Sequence, residues 1–561
     1  MRTWKNALGY AAATCMSAAA FGQTWVSHHQ RTNDPLKHAE ARAIDPTVNN
    51  TLLYVASFRD LPQLMQPSQR PLMVELDNDL KPFQFATYAR PGETIEPYQT
   101  DLFINPHDLF PIREGGSIVC GDFVERGPNG QVLLDGAFLL ELDAALNVNW
   151  FRVYPQIDVF DDVVELPDNG AQTTYIACGW RVPDNGVPQV AVVAGADLVG
   201  GLLWQHDVWS MKNNFRGNAE YREVILTGQQ TVALVGSANI RNLPGAGFLA
   251  DSDVMVTRVD AFGNILFNGV WGNTIQQFPD GVFGIAEKGA SLTRMGQSND
   301  LIITGQVEAT CLDLCDPGTT LYEDVLALRL TPNGALAWSN RYDIQGDFDF
   351  GRSVKAPDGR IGIAADARTD FFNADRSLDV AYMLLNQAGG PIAPADIFGG
   401  ERADNAAQLY VGSMTSHAVL LASTLSFSPA GYVIPYLIER FAQICHPCHS
   451  ARQQFGPRAH PMEQFEWFSQ EVATGSTFMP LERIDPVLRD EILCKKCLIG
   501  DMNGDGVISV ADIGPFVTAL TNPAQYMMLF PDGCLESADV NCDGIVSVGD
   551  IGPFVALVTA P

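Results

Sequence analysis

Apolar and polar positions alternate in short runs from about residue 50 to residue 440, and Gly, Pro, Asn and Asp separate the runs. The clearest pattern is a strand, a polar turn and a second strand. It reads LMVELDNDLKPFQFATY from Leu72, FLLELDAALNVNWFRVY from Phe138 and VAVVAGADLVGGLLWQHDVW from Val190. It returns as VMVTRVDAFGNILFNGVWG from Val254, VLALRLTPNGALAWSNRY from Val325 and VAYMLLNQAGGPIAPADIFG from Val380. Period-two alternation closed by an Asp, Asn or Gly turn predicts a β-hairpin. A second, shorter apolar run precedes each copy: LLYVASF from Leu52, GSIVCGDF from Gly116, TYIACGW from Thr174, VALVGSA from Val232, LIITGQV from Leu301, IGIAADA from Ile361 and AVLLAST from Ala418. Seven first halves and six second halves, roughly 55 to 70 residues apart, form an internal repeat of the solenoid or propeller kind. The expected fold is mainly β, a seven-bladed β-propeller over residues 50–440, with an N-terminal strand completing the short last unit. A pair of β-sandwiches is the alternative.

The stretch NRYDIQGDFDFGRSVKAPDGRIGIAAD from Asn340 resembles bacterial repeats of the form D-x-x-G-x-x-x-W-x-x-x-Y. That resemblance implies a propeller and names no activity. The aromatics at unit ends, Trp150, Trp204, Trp338 and Tyr342, are expected to pack between units.

Composition narrows the partners. The formal charge of -30 repels phosphate backbones, which argues against nucleic acid. Arg2 and Lys5 precede an apolar run from Ala7 to Phe21, which reads as a signal peptide over residues 1–22. The run is short for a membrane span, and no other stretch is long enough for one. Residues 23–49 read as a linker. The expected location is secreted, cell-surface or periplasmic. Of the 11 cysteines, Cys15 lies in the signal, and the remaining ten suit an oxidising compartment. Cys311 and Cys315 are close enough to pair, while Cys120 and Cys178 sit in apolar runs and read as buried. No H-E-x-x-H, G-x-S-x-G or phosphate-binding glycine loop occurs, so no catalytic constellation is found.

Residues 441–498 change character and read as a small Cys-rich α segment. Cys445-His446-Pro447-Cys448-His449 has the spacing of a c-type haem attachment site. With Phe441 before it and Met479-Pro480 after it, followed by a helix-like DPVLRDEI, the layout resembles a class I cytochrome c. The resemblance implies haem on Cys445 and Cys448, with His449 and Met479 as axial ligands. Cys494 and Cys497 add a second C-x-x-C, so the four cysteines equally offer a zinc site or two disulfides. His460 and Met462 are spare ligand candidates that read as ordinary loop residues.

Residues 499–561 hold two twelve-residue loops, D-M-N-G-D-G-V-I-S-V-A-D from Asp501 and D-V-N-C-D-G-I-V-S-V-G-D from Asp539. Calcium takes six to eight oxygens, and the spacing supplies them at matched positions. In the first loop these are Asp501, Asn503, Asp505, the Val507 carbonyl, Ser509 and Asp512. In the second they are Asp539, Asn541, Asp543, the Ile545 carbonyl, Ser547 and Asp550. Each loop runs into a near-identical octet, IGPFVTAL and IGPFVALV. Asp at the closing position and a helix only after each loop resemble a type I dockerin. That resemblance implies two calcium ions and a protein partner. The residues at loop positions 10 and 11, Val510-Ala511 and Val548-Gly549, are not the hydroxyl residues that contact cohesin in that family. Together these features predict a secreted, non-enzymatic binding or scaffold protein with a calcium-dependent docking module. The alternatives are a c-type haem redox protein and a propeller hydrolase acting on polysaccharide.

Overall fold

The structure is a computed structural model. It describes residues 25–31 and 37–559 except 48, 50, 61–68, 78–81, 90, 92–100, 128, 168–171, 184–186, 212–215, 243–248, 274–275, 279–280, 297, 314–319, 345–348, 369–377, 400–403, 412–417, 425–433, 441–449, 454–456, 461, 473–474, 485–487, 493–498, 506, 531–534 and 542–545. The chain is mainly β, and the strands fall into antiparallel groups of four that follow one another along the sequence. Unit one comprises Lys37–Pro46, Leu52–Asp60, Gln69–Leu76 and Pro82–Ala89. Unit two is Asp101–Pro111, Ser117–Arg126, Val132–Leu142 and Val148–Tyr154. Unit three is Val159–Glu165, Tyr175–Arg181, Val190–Ala196 and Leu202–Met211. Unit four is Asn218–Leu226, Thr231–Asn242, Leu249–Asp260 and Ile265–Gly272. Unit five is Gly281–Met295, Asp300–Asp313, Thr320–Leu330 and Leu336–Tyr342. Unit six is Asp349–Lys355, Ile361–Arg368, Leu378–Leu385 and Ala395–Phe398. Unit seven is Asp404–Val411, Ala418–Thr424 and Ile434–Arg440, and its fourth strand is Trp25–Arg31 from the N-terminus.

The expected repeats are thus second, third and fourth strands. The N-terminal strand does complete the last unit. Residues 23–49 are not a linker, however, since they supply that strand and the first strand of unit one. The first strands carry mixed polar residues and no continuous apolar run, because they line a cavity and are not packed between two apolar layers. Each first strand touches the first strand of the next unit, and the series closes when unit seven meets unit one. Side chains staple neighbours across this ring. Asp162 accepts from Val224 N at 2.6 Å, Glu223 from Leu292 N at 2.8 Å and Ser291 from Val354 N at 3.1 Å. Gln408 of unit seven accepts from Ile44 N of unit one, and Ser423 accepts from Ala41 N at 2.8 Å.

The hairpin turns form a second layer of contacts between units. The residue that opens a turn accepts two backbone N–H groups with one side-chain oxygen. Asp143 does so from Ala145 and Asn147, Asp260 from Phe262 and Asn264, and Asn386 from Ala388 and Gly390. These are side-chain-capped turns, which explains the Asp or Asn in each repeat. The turn then needs a left-handed residue, with φ 73° at Gly200 and 80° at Gly389, and φ 59° at Leu146, which is not glycine. An aromatic from the preceding unit bonds the exposed carbonyl. Tyr88 Oη donates to Leu146 O at 3.1 Å, Tyr154 Oη to Gly200 O at 2.7 Å and Tyr342 Oη to Gly389 O at 2.7 Å. Trp204 Nε1 donates to Ala261 O at 3.3 Å and Trp338 Nε1 to Gln387 O at 3.1 Å. The unit-end aromatics therefore join units, as their spacing suggested. Cys120 and Cys178 are buried and free.

The Cys-rich segment is not α. Its described residues are short strands, each antiparallel to the outer strand of a unit. Ser450–Gln453 pairs with unit six, and Pro457–Ala459 with unit five. Glu463–Glu471 pairs with unit four and then unit three. Thr477–Phe478 pairs with unit two and Glu482–Ile484 with unit one. Leu488–Ile492, expected to be helical, pairs with Trp25–Arg31 of unit seven. The segment therefore runs backwards through the units and reaches every one. Open outer edges present unpaired N–H and C=O groups, and that pairing outweighs local helix propensity. His460 pins the segment: it is 3% exposed and meets the fully buried Glu287 at 2.9 Å.

Among its described residues the tail holds three short α-helices, α1 (Ile513–Thr521), α2 (Pro523–Leu529) and α3 (Ile551–Val558). The duplicated octets open α1 and form α3, and they pack Phe516 flat on Phe554, with ring centroids 3.8 Å apart and planes 1° from parallel. Tyr526 Oη closes the small core by donating to Met502 O at 2.8 Å.

Candidate functional site

Every first strand carries a β-bulge at the same place. Pairing slips between Ala41 and Ala43, Pro106 and Asp108, Phe160 and Asp162, and Tyr221 and Glu223. It slips again between Gly289 and Ser291, Gly351 and Ser353, and Ala406 and Gln408. A bulge leaves one residue unpaired and re-aims its side chain. The seven skipped residues are Arg42, His107, Asp161, Arg222, Ala290, Arg352 and Ala407, and all of them line one 110 Å³ constriction. It opens into a 990 Å³ cavity that Glu40, Glu220, Lys288 and Gln306 also face.

His107 is the most constrained member. Its Nδ1 lies 3.0 Å from Asp161 Oδ1 and its Nε2 lies 2.8 Å from Asp122 Oδ1. Burial works against its charge, but the bonds to Asp122 and Asp161 outweigh that and hold it up at about 9. As imidazolium it donates both N–H groups and keeps no lone pair with which to take a proton. Arg222 continues the chain, 3.4 Å from Asp161 and 2.8 Å from Glu220. Both neighbours of Asp161, His107 and Arg222, are thus cationic, so this arc is built to hold charge in place and not to shuttle protons.

A second layer follows, made of Asp45, Asp108, Asp162 and Glu223 around Lys355. Burial pushes Asp45 and Glu223 up to about 7, with Lys355 pulling both back. Burial also raises Asp108 and Asp162, which share a side-chain hydrogen bond. Lys355 Nζ lies 3.8 Å from Glu223 Oε1. Its charge is opposed by burial but favoured more strongly by Glu223, Asp45 and the other two carboxylates. One lysine thus serves four carboxylates, and at neutral pH the layer holds protons that free carboxyls would have lost.

In the tail, the first loop is held open by its own backbone. Asp501 accepts from Gly504 N at 2.8 Å, Asn503 from Asp505 N at 2.9 Å and Asp505 from Val507 N at 2.9 Å. Asp512 closes it, accepting from Met502 N at 2.7 Å and Ser509 N at 2.8 Å. In the second loop Asp550 accepts from Asn541 N at 3.0 Å and Ser547 N at 2.8 Å. Asp501 is 6% exposed, and Asp512, Asp539 and Asp550 are fully buried. Asp543 and Ile545 lie outside the described residues.

Of the proposed haem ligands, Cys445, Cys448 and His449 lie outside the described residues, as do Cys315, Cys494 and Cys497. Met479 is at the sheet edge of unit two, where its N–H donates to Phe151 O at 3.0 Å and its side chain packs on the core. Met462 packs against the core of units four and five. Among the described residues, Asp324, Asp343 and Asp349 form an acidic group whose geometry could hold a metal ion. Arg341 bonds Asp324 at 2.6 Å, and Arg458 lies 3.3 Å from Asp343. The ring of bulged residues escaped the sequence reading. The signal that could have found it is a charged or His residue before five of the seven second strands, but the bulges break its period.

No family model matches the chain, and no curated protein matches it. Solved structures similar to it include a protein of unknown function from Dyadobacter fermentans, at 12% identity and TM-score 0.39, covering 74% of this chain and 98% of that one. Another is the WD40 domain of Neurospora crassa Pan2, at 8% identity and TM-score 0.38, covering 75% and 98%. A third is an inactive virginiamycin B lyase from Staphylococcus aureus, at 10% identity and TM-score 0.32, covering 73% and 99%. These are distant likenesses and they assign no activity to this chain. Among the described residues, no helix is long and apolar enough to cross a membrane.

Proposed function

We propose that this is an exported, non-enzymatic binding protein: a seven-bladed β-propeller that carries a calcium-ordered, dockerin-like docking module. The seven four-stranded units and the closed cycle of first-strand contacts support the propeller. The observation that carries the calcium reading is the charge balance of the tail. Residues 499–561 contain eight acidic residues and no Lys, Arg or His. Four of those carboxylates are buried or nearly so. Clustered buried carboxylates repel one another, and a divalent cation that prefers oxygen donors relieves that repulsion. In the first loop, Asp501, Asn503, Asp505, Ser509, Asp512 and the Val507 carbonyl would hold the ion. In the second, Asp539, Asn541, Asp543, Ser547, Asp550 and the Ile545 carbonyl would do so. Calcium would then supply the positive charge that orders both loops.

Calorimetry on the full chain tests this. Two calcium ions should bind, and Asp512→Asn or Asp550→Asn should each remove one. Absence of calcium heat, together with a tail transition that a chelator leaves unmoved, would overturn the reading. Mass analysis of the exported protein checks removal of residues 1–22.

A further inference from the structure

The ring of bulged residues is lopsided. On one arc His107 and Arg222 both converge on Asp161 Oδ1, at 3.0 and 3.4 Å. On the other, Arg352 stands between Ala290 and Ala407 in ring order, the two smallest members, which leave space on both sides of it. The groups on this arc keep donors in reserve. Arg352 Nε donates to Asp366 Oδ2 at 2.6 Å, and its Nη groups make no hydrogen bond among the described residues. Its guanidinium lies 4.2 Å over the Phe350 ring, which holds its plane. Arg42 meets Glu40 at 3.2 Å through Nη2, while its Nε has no partner among the described residues. Lys288 Nζ donates to Gln306 Oε1 at 3.3 Å, and Glu308 and Glu220 favour its charge through space. All three cations line the same 990 Å³ cavity.

Asp366, the counter-charge of Arg352, is fully buried behind it and also accepts Ala406 N at 2.7 Å. It therefore fixes the guanidinium without competing for its open edge. Two glutamates line the cavity among its described residues: Glu220 is held by Arg222 at 2.8 Å, and Glu40, at 42% exposure, can turn to solvent. A pre-positioned guanidinium fork matches the two oxygens of a carboxylate or phosphate. The acidic exterior weakens this attraction little, because exterior charges beyond about 8 Å are screened at physiological salt.

We propose that this arc is a binding site for a small oxyanion, a carboxylate or a phosphate, seated on Arg352 between Ala290 and Ala407 with Arg42 and Lys288 as secondary donors. The site extends the binding reading to the propeller and is independent of calcium in the tail. The test is calorimetry on the full chain with citrate and, separately, with inorganic phosphate, each with calcium and with chelator. At least one should bind, equally in both conditions, and more weakly as sodium chloride is raised. Arg352→Lys keeps the charge beside Asp366 but loses the fork, so it should weaken binding about tenfold. Ala407→Glu fills the space with a like charge and should abolish binding, while the urea midpoint confirms that it folds. Binding of citrate alone identifies a carboxylate site, and binding of phosphate alone a phosphate site. Binding of neither, or binding that both folded variants leave unchanged, overturns the proposal. Loss of calcium binding with the oxyanion heat intact would count against the tail reading alone.

Discussion

His107 ties the stability of the ring to pH. Its side chain is 22% exposed and it sits between Asp122 and Asp161, which hold it up at about 9 against an ordinary value of 6.5. The folded chain grips this proton more tightly than the unfolded chain does. The stabilisation is therefore full below about pH 6.5, declines as pH rises, and is gone above about 9. A shift of this size corresponds to about 3 kcal/mol. Asp45 and Glu223, both raised to about 7, push the same way at lower pH: their folded forms hold protons, and that advantage is lost as pH rises to about 7. A substitution separates the contributions, since the carboxylate layer is common to both proteins. Urea unfolding of wild type and His107→Gln at about pH 6 and about pH 9.5, with calcium saturating, should show wild type losing about 3 kcal/mol more than the variant. If the two proteins have the same pH dependence within about 0.5 kcal/mol, His107 is not clamped between the two carboxylates as described.

Gln408→Ala leaves the buried Ile44 N–H without its acceptor across the unit seven to unit one junction, so urea unfolding should show a loss of about 1–3 kcal/mol. Tyr342→Phe removes one hydrogen bond between units five and six and should cost about 1 kcal/mol in the same assay. A chain ending at residue 449 exposes the outer edges of the units, and hydrogen exchange should quicken in Val148–Tyr154 and Leu202–Met211 while the second strands stay protected. Unchanged exchange in those outer strands would show that the encircling segment contributes no protection.

Much of the β-structure was legible in residue order. The Leu, Val and Ile runs are nearly continuous because both faces of a second or third strand pack on apolar layers, and Asp143, Asp260 and Asn386 mark turns because their side chains cap them. The aromatic that follows each turn was equally readable, since Trp150 and Trp204 stand at the same distance after Asp143 and Asp197. The cavity was not. Arg42, His107, Arg222 and Arg352 lie in segments of unremarkable polarity, and their bulges shift them off the period-two register by which strands are recognised. The Cys-rich segment misled for a different reason. Strands such as Leu488–Ile492 exist because an open edge accepts their backbone, and backbone pairing leaves little mark on side-chain choice.

Local chemistry therefore determined the hairpins, the two Asp-rich loops and the duplicated IGPF octets, because each is decided by residues within about twelve positions of one another. Tertiary structure alone decided two things: that the segment from Ser450 to Ile492 reaches every unit in reverse order, and that seven bulged residues meet around one cavity. Each depends on contacts between residues tens to hundreds of positions apart, where the backbone of one unit supplies what another lacks.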